Sequence, residues 1–207
     1  MSDRARARGE ATCECAPGLI VLSGPAGAGK TTVAERLCRE LGIRRSVSAT
    51  TRPPRPTEAD GRDYIFLSEE EFRERVVRGE FLEYAEVHSR LYGTPRPPIE
   101  AAIRAGEARL LVIDVQGAMQ VRQAMPDALL IFLDAPDAAL AERLERRDTE
   151  GALEQDARRA AAKAERSYKE HYDYCVTNDD LERSVAELRA ILCRQREPED
   201  RRSGLDG

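Results

Sequence analysis

An α/β fold, a parallel sheet covered by helices on both faces, is predicted by three observations. Continuously apolar runs at 19–23, 109–115 and 128–135 have the composition of strands buried on both sides. Stretches of helical period separate these runs, the alternation expected of βαβ units. The 207-residue chain is long enough for one such sheet with its own core.

The elements follow in order. Residues 19–23 are a buried strand, and 30–41 a helix with Val33, Leu37 and Leu41 on one face. A short strand is expected around 46–50. "TRPPRPTEADGRD" (51–63) carries three prolines and must be loop. "YIFLS" (64–68) reads as a strand, with Ser68 and Glu71 set as a capping box for the next helix. "FLEYAEV" (81–87) alternates as a strand, and a helix over about 97–105 stops at Gly106. The strand 109–115, the helix "QGAMQVRQAM", the strand 128–135 and a helix over about 137–146 come next. Residues 148–156 are polar and ambiguous. A long helix over about 157–171, a strand at 174–178 and a helix at 180–194 complete the body. Residues 1–17 and 195–207 are polar and turn-rich, and both are expected to be disordered or flexible tails. The stretch 51–95 breaks the βα rhythm and is expected to be a small mixed insertion.

Composition narrows the function classes. Net charge is −5, which argues against nucleic acid as a bulk partner. No apolar run approaches a membrane span, and the start lacks the apolar region of a signal peptide. The Arg-rich start "MSDRARARGE" contains Asp3 and Glu10, which suits a tail better than a transit peptide. Five irregularly spaced cysteines suit a reducing cytoplasm. Cys13 and Cys15 lack the companion ligands of a structural zinc site. Only Lys30, Lys163 and Lys169 are lysines, so one arginine more carries little signal and one lysine much.

Lys30 completes "GPAGAGKTT" (24–32), the phosphate-binding pattern G-x4-G-K-[ST], placed between a strand and a helix. Its glycines let backbone N–H groups turn towards a phosphate at a helix N-terminus. Gly24, Pro25, Ala26, Gly27, Ala28, Gly29, Lys30, Thr31 and Thr32 are therefore the expected nucleotide-binding loop. Lys30 is expected to bridge the β- and γ-phosphates and the Thr31 hydroxyl to ligate Mg²⁺. The acceptor is not named by this loop. Arg52, Arg55 and Tyr64 offer two guanidinium forks and a phenol, which suit a phosphate dianion. Glu83 is a carboxylate on an otherwise largely apolar strand. It suits the paired N–H donors of guanine, which adenine lacks.

In "SVSATTRPPRP", "DYIFLS", "FLEYAEV", "YGT", "DVQG" and "VTNDDL", with the phosphate loop before them, the chain resembles the guanylate kinase family over about residues 18–193. The resemblance implies a P-loop NTPase-type parallel sheet with helices on both faces, a small mixed α/β GMP-binding insertion and a helical lid. The corresponding division is a core of 18–50, 96–147 and 158–194, the insertion at 51–95 and the lid at 148–157, all within 18–194. Arg52, Arg55, Tyr64 and Tyr92 look like ligands of the GMP phosphate, and Ser48, Glu83, Thr94 and Asp114 like the guanine-reading groups. Arg143, Arg147 and Arg158 look like catalytic arginines acting with Lys30, and Asn178 like a contact to the adenine of ATP. The implied activity is transfer of a phosphoryl group from ATP to GMP, and to dGMP, with Mg²⁺ held by Thr31 and, as a second candidate, Asp114. Monomer and homo-oligomer both remain open.

Each residue also has a plainer reading. Arg52 and Arg55 fit exposed loop arginines, Tyr64 and Tyr92 core tyrosines, Arg143 and Arg147 a solvated helix face, and Asn178 a turn. Two whole-protein alternatives stay open: a kinase of another small phosphorylated acceptor, and a non-catalytic module that binds a protein partner. The chain also departs from the family pattern. Val112 stands where an acid usually precedes Asp114, and Asp148 where a glycine usually follows the second lid arginine. Alternation along a strand would put residues 112 and 114 on one side.

Overall fold

The structure, a computed structural model, describes residues 18–87, 89–145 and 161–194. The apolar runs become a five-stranded parallel sheet. Its strands are β1 (Leu19–Ser23), β2 (Arg44–Arg45), β7 (Arg109–Val112), β8 (Leu129–Asp134) and β9 (Tyr174–Thr177), in the order β2-β7-β1-β8-β9. Alternation sends neighbouring side chains to opposite faces. Ile20 and Leu22 pack with Leu37 of α1 (Lys30–Leu41) and Leu188 of α7 (Leu181–Arg194). Leu19, Val21 and Phe132 pack instead with Ile99 of α3 (Arg96–Arg104) and Val121 of α4 (Val115–Ala124). Two-sided burial is why these strands are apolar throughout, and each buried Leu-sized side chain contributes about 2 kcal/mol.

A second, mixed sheet lies between α1 and α3 in the chain. It contains β3 (Ala49–Thr50), β4 (Ile65–Phe66), β5 (Phe81–Val87) and β6 (Arg90–Pro95) in the order β4-β3-β6-β5. β3 and β4 are parallel, whereas β6 runs antiparallel to β3 and β5. Helix α2 (Glu69–Val77) covers it with Phe72, which stacks on Phe81 at 4.4 Å between centroids. The Ser68 hydroxyl accepts the Glu71 N–H at 3.1 Å, and the Glu71 carboxylate accepts the Ser68 N–H at 2.9 Å. The expected capping box is therefore formed.

Four expectations change. The strand around 46–50 is two strands, β2 and β3, because the chain crosses there from one sheet to the other. The strand at 64–68 pairs only at Ile65 and Phe66. The strand at 109–115 ends at Val112, because Asp114 caps α4 and its carboxylate accepts the Gly117 N–H at 2.8 Å. Residues 112 and 114 therefore do not share a strand face. The described part of the long helix, α6 (161–166), gives way to i→i−3 turns and a 3₁₀ segment at Lys169–His171. Arg166 and Lys169, three apart on that tighter winding, both reach Asp134. Strand β6 had no expectation, because Gly93 and Pro95 disguise it.

Candidate active site

The phosphate loop runs from the end of β1 to the first turn of α1. At Gly24 (φ +139°) a Cβ would lie 2.0 Å from the Leu133 carbonyl oxygen, and at Gly29 (φ +89°) 2.4 Å from Nδ2 of Asn178. Only glycine fits either place. Lys30 turns back over the loop and donates to the carbonyls of Gly24 at 2.5 Å and Pro25 at 3.0 Å. No acid stands in the first turn of α1, so its positive end is not offset locally. Thr31 and Thr32 are exposed there.

Two further side chains brace the loop. Arg143, on α5 (Asp137–Glu145), donates to the carbonyl of Asn178 at 3.1 Å and to those of Gly27 and Ala28 at 3.4 Å. Asn178 is buried and donates Nδ2–H to the Ala28 carbonyl at 2.7 Å. Its amide supports the loop from behind, a role that a turn signal in the sequence does not reveal. Arg147, Arg158, Asp148 and the expected lid lie outside the described residues.

Three of the four expected base-reading groups, Glu83, Thr94 and Asp114, come together. Glu83 on β5 lies opposite Thr94 on β6, whose hydroxyl donates to its carboxylate at 2.6 Å. The Glu83 side chain is only 5% exposed. Burial, helped by the nearby charge of Asp114, pushes its carboxyl up to about 7, against the Thr94 hydrogen bonds. Gly117 closes the other side: a Cβ there would lie 2.5 Å from the second Glu83 oxygen, Oε2. Ser48 is half-buried and precedes β3, whose Ala49 lies opposite Gly93, the neighbour of Thr94.

Three of the four expected phosphate ligands also meet. The Arg52 guanidinium lies 5.4 Å from the Tyr64 ring centroid, and Tyr64 meets Tyr92 edge-on at 6.2 Å. Arg55 is exposed on the same loop.

Sequence reasoning missed a carboxylate. Glu165 on α6 is half-buried; burial and the charge of Asp114 raise its pKa, while Lys30 opposes the rise. The buried Ser23 and Tyr172 hydroxyls sit near it, and burial pushes the Tyr172 phenol up to about 12. Asp134, at the end of β8, takes Arg166 Nε at 3.0 Å and Lys169 Nζ at 2.7 Å, and so ties the chain after the expected lid to the sheet. Nothing in an Arg-rich helical run marks these residues out.

The profile of the guanylate kinase family matches residues 17–195. The chain belongs to the guanylate kinase family. A guanylate kinase of Symbiobacterium thermophilum is 49% identical over 178 residues, covering 84% of this chain and 83% of that protein. One of Desulfitobacterium hafniense is 44% identical over 176 residues, covering 84% and 88%. Among solved structures, a guanylate kinase from Anaplasma phagocytophilum superposes with a TM-score of 0.73 at 35% identity, covering 90% of this chain and 89% of that one. A gluconokinase from Sinorhizobium meliloti, at 19% identity and a TM-score of 0.51, shares the fold alone. The parallel sheet, the phosphate loop and the mixed second sheet are thus the guanylate kinase fold.

Proposed function

We propose that the protein transfers the γ-phosphoryl group of ATP to GMP, and to dGMP, giving ADP and GDP or dGDP. The observation that carries the choice of acceptor is the buried Glu83 carboxylate, with one oxygen bonded to the Thr94 hydroxyl and the other, Oε2, against Gly117. Ionised, it accepts the N1–H and 2-amino donors of guanine, with Thr94, Asp114 and Ser48 around the base. A base without that donor pair leaves a buried charge unpaired, a penalty of about 2–3 kcal/mol or more. Arg52, Arg55, Tyr64 and Tyr92 hold the acceptor phosphate.

The acceptor oxygen is already ionised at neutral pH, so no general base is required. Catalysis is alignment and charge neutralisation. Lys30 leaves the loop carbonyls and takes the β- and γ-phosphates. Arg143 bridges the phosphate loop and Asn178, and with Arg147 and Arg158 it spreads positive charge over the moving group. Asn178 fixes the loop backbone through the Ala28 carbonyl, and its buried Oδ1 has no hydrogen-bond partner among the described residues. The segment 51–95 carries GMP, and residues 148–157 close over the two substrates to exclude water. The residues near the loop suit Mg²⁺, a hard cation that takes oxygen donors and keeps much of its water. Thr31 and Asp114 would hold it, and bound there it neutralises phosphate charge. A cytoplasmic location fits this chemistry, and no described helix is long and apolar enough to cross a membrane.

ADP release measured with GMP, dGMP, AMP and UMP as acceptors tests the reading. Turnover with GMP and dGMP, and not with AMP or UMP, is expected. Turnover with a different phosphorylated acceptor would overturn it. No turnover by folded protein would point instead to a binding module.

A further inference from the structure

The loop 51–63 has almost no regular structure, yet it must hold Arg52 in place. Glu58 supplies the hold. Its two carboxylate oxygens accept from Arg52 Nη2 at 2.8 and 2.9 Å, and Oε2 also accepts the Arg55 backbone N–H at 2.8 Å. The Glu58 N–H in turn donates to the Arg55 carbonyl at 3.0 Å. Arg52 Nη1 donates to the Pro53 carbonyl at 2.8 Å, and its plane rests against Tyr64 and Phe66. The side chains of Arg52 and Glu58 are 18% and 14% exposed.

We infer that Glu58 is a positioning residue for the acceptor phosphate: it orients Arg52 and sets the backbone of Arg55, so that both face one anion. This rests on the reading of Arg52 and Arg55 as phosphate ligands. A carboxylate beside an anion site has a rival role, a placeholder that the phosphate displaces. The bonding pattern decides between them. A placeholder would be held by the guanidinium alone. Glu58 is also tied to the loop backbone through its own N–H and that of Arg55, so it stays when the phosphate arrives. Arg52 gives Nη2 and one Nη1 hydrogen to the loop and keeps other N–H groups for a second anion. Hydrogen bonds from Arg52 and from the Arg55 N–H, and then the charges of both arginines, hold the Glu58 pKa below the usual glutamate value.

The test is Glu58→Gln, an isostere without the charge, with GMP and guanosine binding measured by calorimetry in the absence of ATP. GMP binding should weaken about tenfold, as expected for losing one charge-assisted contact that orients a ligand. Guanosine, which has no phosphate, should bind with unchanged affinity and thereby report intact folding. In turnover the KM for GMP should rise while kcat at saturating GMP and the KM for ATP hold. Unchanged or tighter GMP binding by Glu58→Gln overturns the inference. Arg52→Lys, run in parallel, separates the two readings. If it too leaves GMP binding unchanged, the phosphate-site reading fails; if it weakens GMP binding and Glu58→Gln does not, only the role of Glu58 fails.

Discussion

Replacing Glu83 with Gln should make the nucleotide-free protein more stable and the enzyme much worse. Folding raises this carboxyl from 4.5 to about 7. The folded protein therefore holds the proton more tightly than the unfolded chain. Stability from this group is greatest below the unfolded value near 4.5, falls as pH rises, and is lost once pH passes about 7. At pH 8 the shift is expressed in full and the buried charge costs about 3 kcal/mol; at pH 5 it costs about 1 kcal/mol. A glutamine carries no such cost. Its oxygen still accepts the Thr94 hydroxyl, and its amide can face Asp114, the charged neighbour among the described residues. Urea unfolding without nucleotide, at both pH values, measures the difference. The variant should gain about 3 kcal/mol over the parent at pH 8 and about 1 kcal/mol at pH 5, or several degrees in Tm at the higher pH. Meanwhile kcat/KM for GMP should fall about 100- to 1000-fold, because an amide cannot accept both guanine donors. Guanosine affinity of the parent should rise as pH increases through 7 and be flat for the variant. A variant less stable than the parent at pH 8, or a gain independent of pH, would refute the reasoning.

Gly117→Ala should raise the KM for GMP about tenfold or more and leave that for ATP unchanged in steady-state assays, since its Cβ would lie 2.5 Å from a carboxylate held by Thr94. Val112→Asp should lower thermal stability by about 2–4 kcal/mol, because Val112 packs against the Leu22 cluster. The same variant should need less Mg²⁺ for half-maximal rate; an unchanged Mg²⁺ titration with unchanged melting would make the loss of that acid neutral.

How far the sequence carried depended on how local the determinants were. The phosphate loop, the Ser68–Glu71 cap and the two-faced strands are set by residues within a few positions of each other, and all were legible. Glu83 and Thr94 were legible as chemistry, though their direct hydrogen bond needs the register of β5 on β6. Strand β6 itself was hidden, because Gly93 is there for tertiary reasons: a Cβ would lie 2.9 Å from Phe81 and 3.1 Å from Phe72. The Asp134–Arg166–Lys169 network was hidden for the same reason. Asp134 lies 32 and 35 residues before Arg166 and Lys169, and residues of these types are common on any exposed helix. Asn178 reads in the sequence as an adenine contact or a turn residue and not as a strut for the loop, since its partner, Ala28, is 150 residues away.

The valine at 112 acquires a different meaning from the structure. By strand alternation it removes a carboxylate from beside Asp114. In fact β7 stops at Val112, which packs against the cluster that holds Leu22 and Val33, while Asp114 caps α4. Asp114 already raises the pKa of two other acids, Glu83 and Glu165. Another carboxylate nearby would add to that repulsion unless a cation answered it. At neutral pH Glu83 sits close to its titration point, so a further upward push would protonate the group that must accept hydrogen bonds from guanine. An apolar residue at 112 thus extends the Leu22 cluster and adds no negative charge to the acids that already feel Asp114. This ties the two sites together: Val112→Asp should weaken guanosine binding at pH 7 in the absence of Mg²⁺ and recover it at pH 8.5. Guanosine affinity equal to the parent's at both pH values would show that position 112 acts on the cation alone.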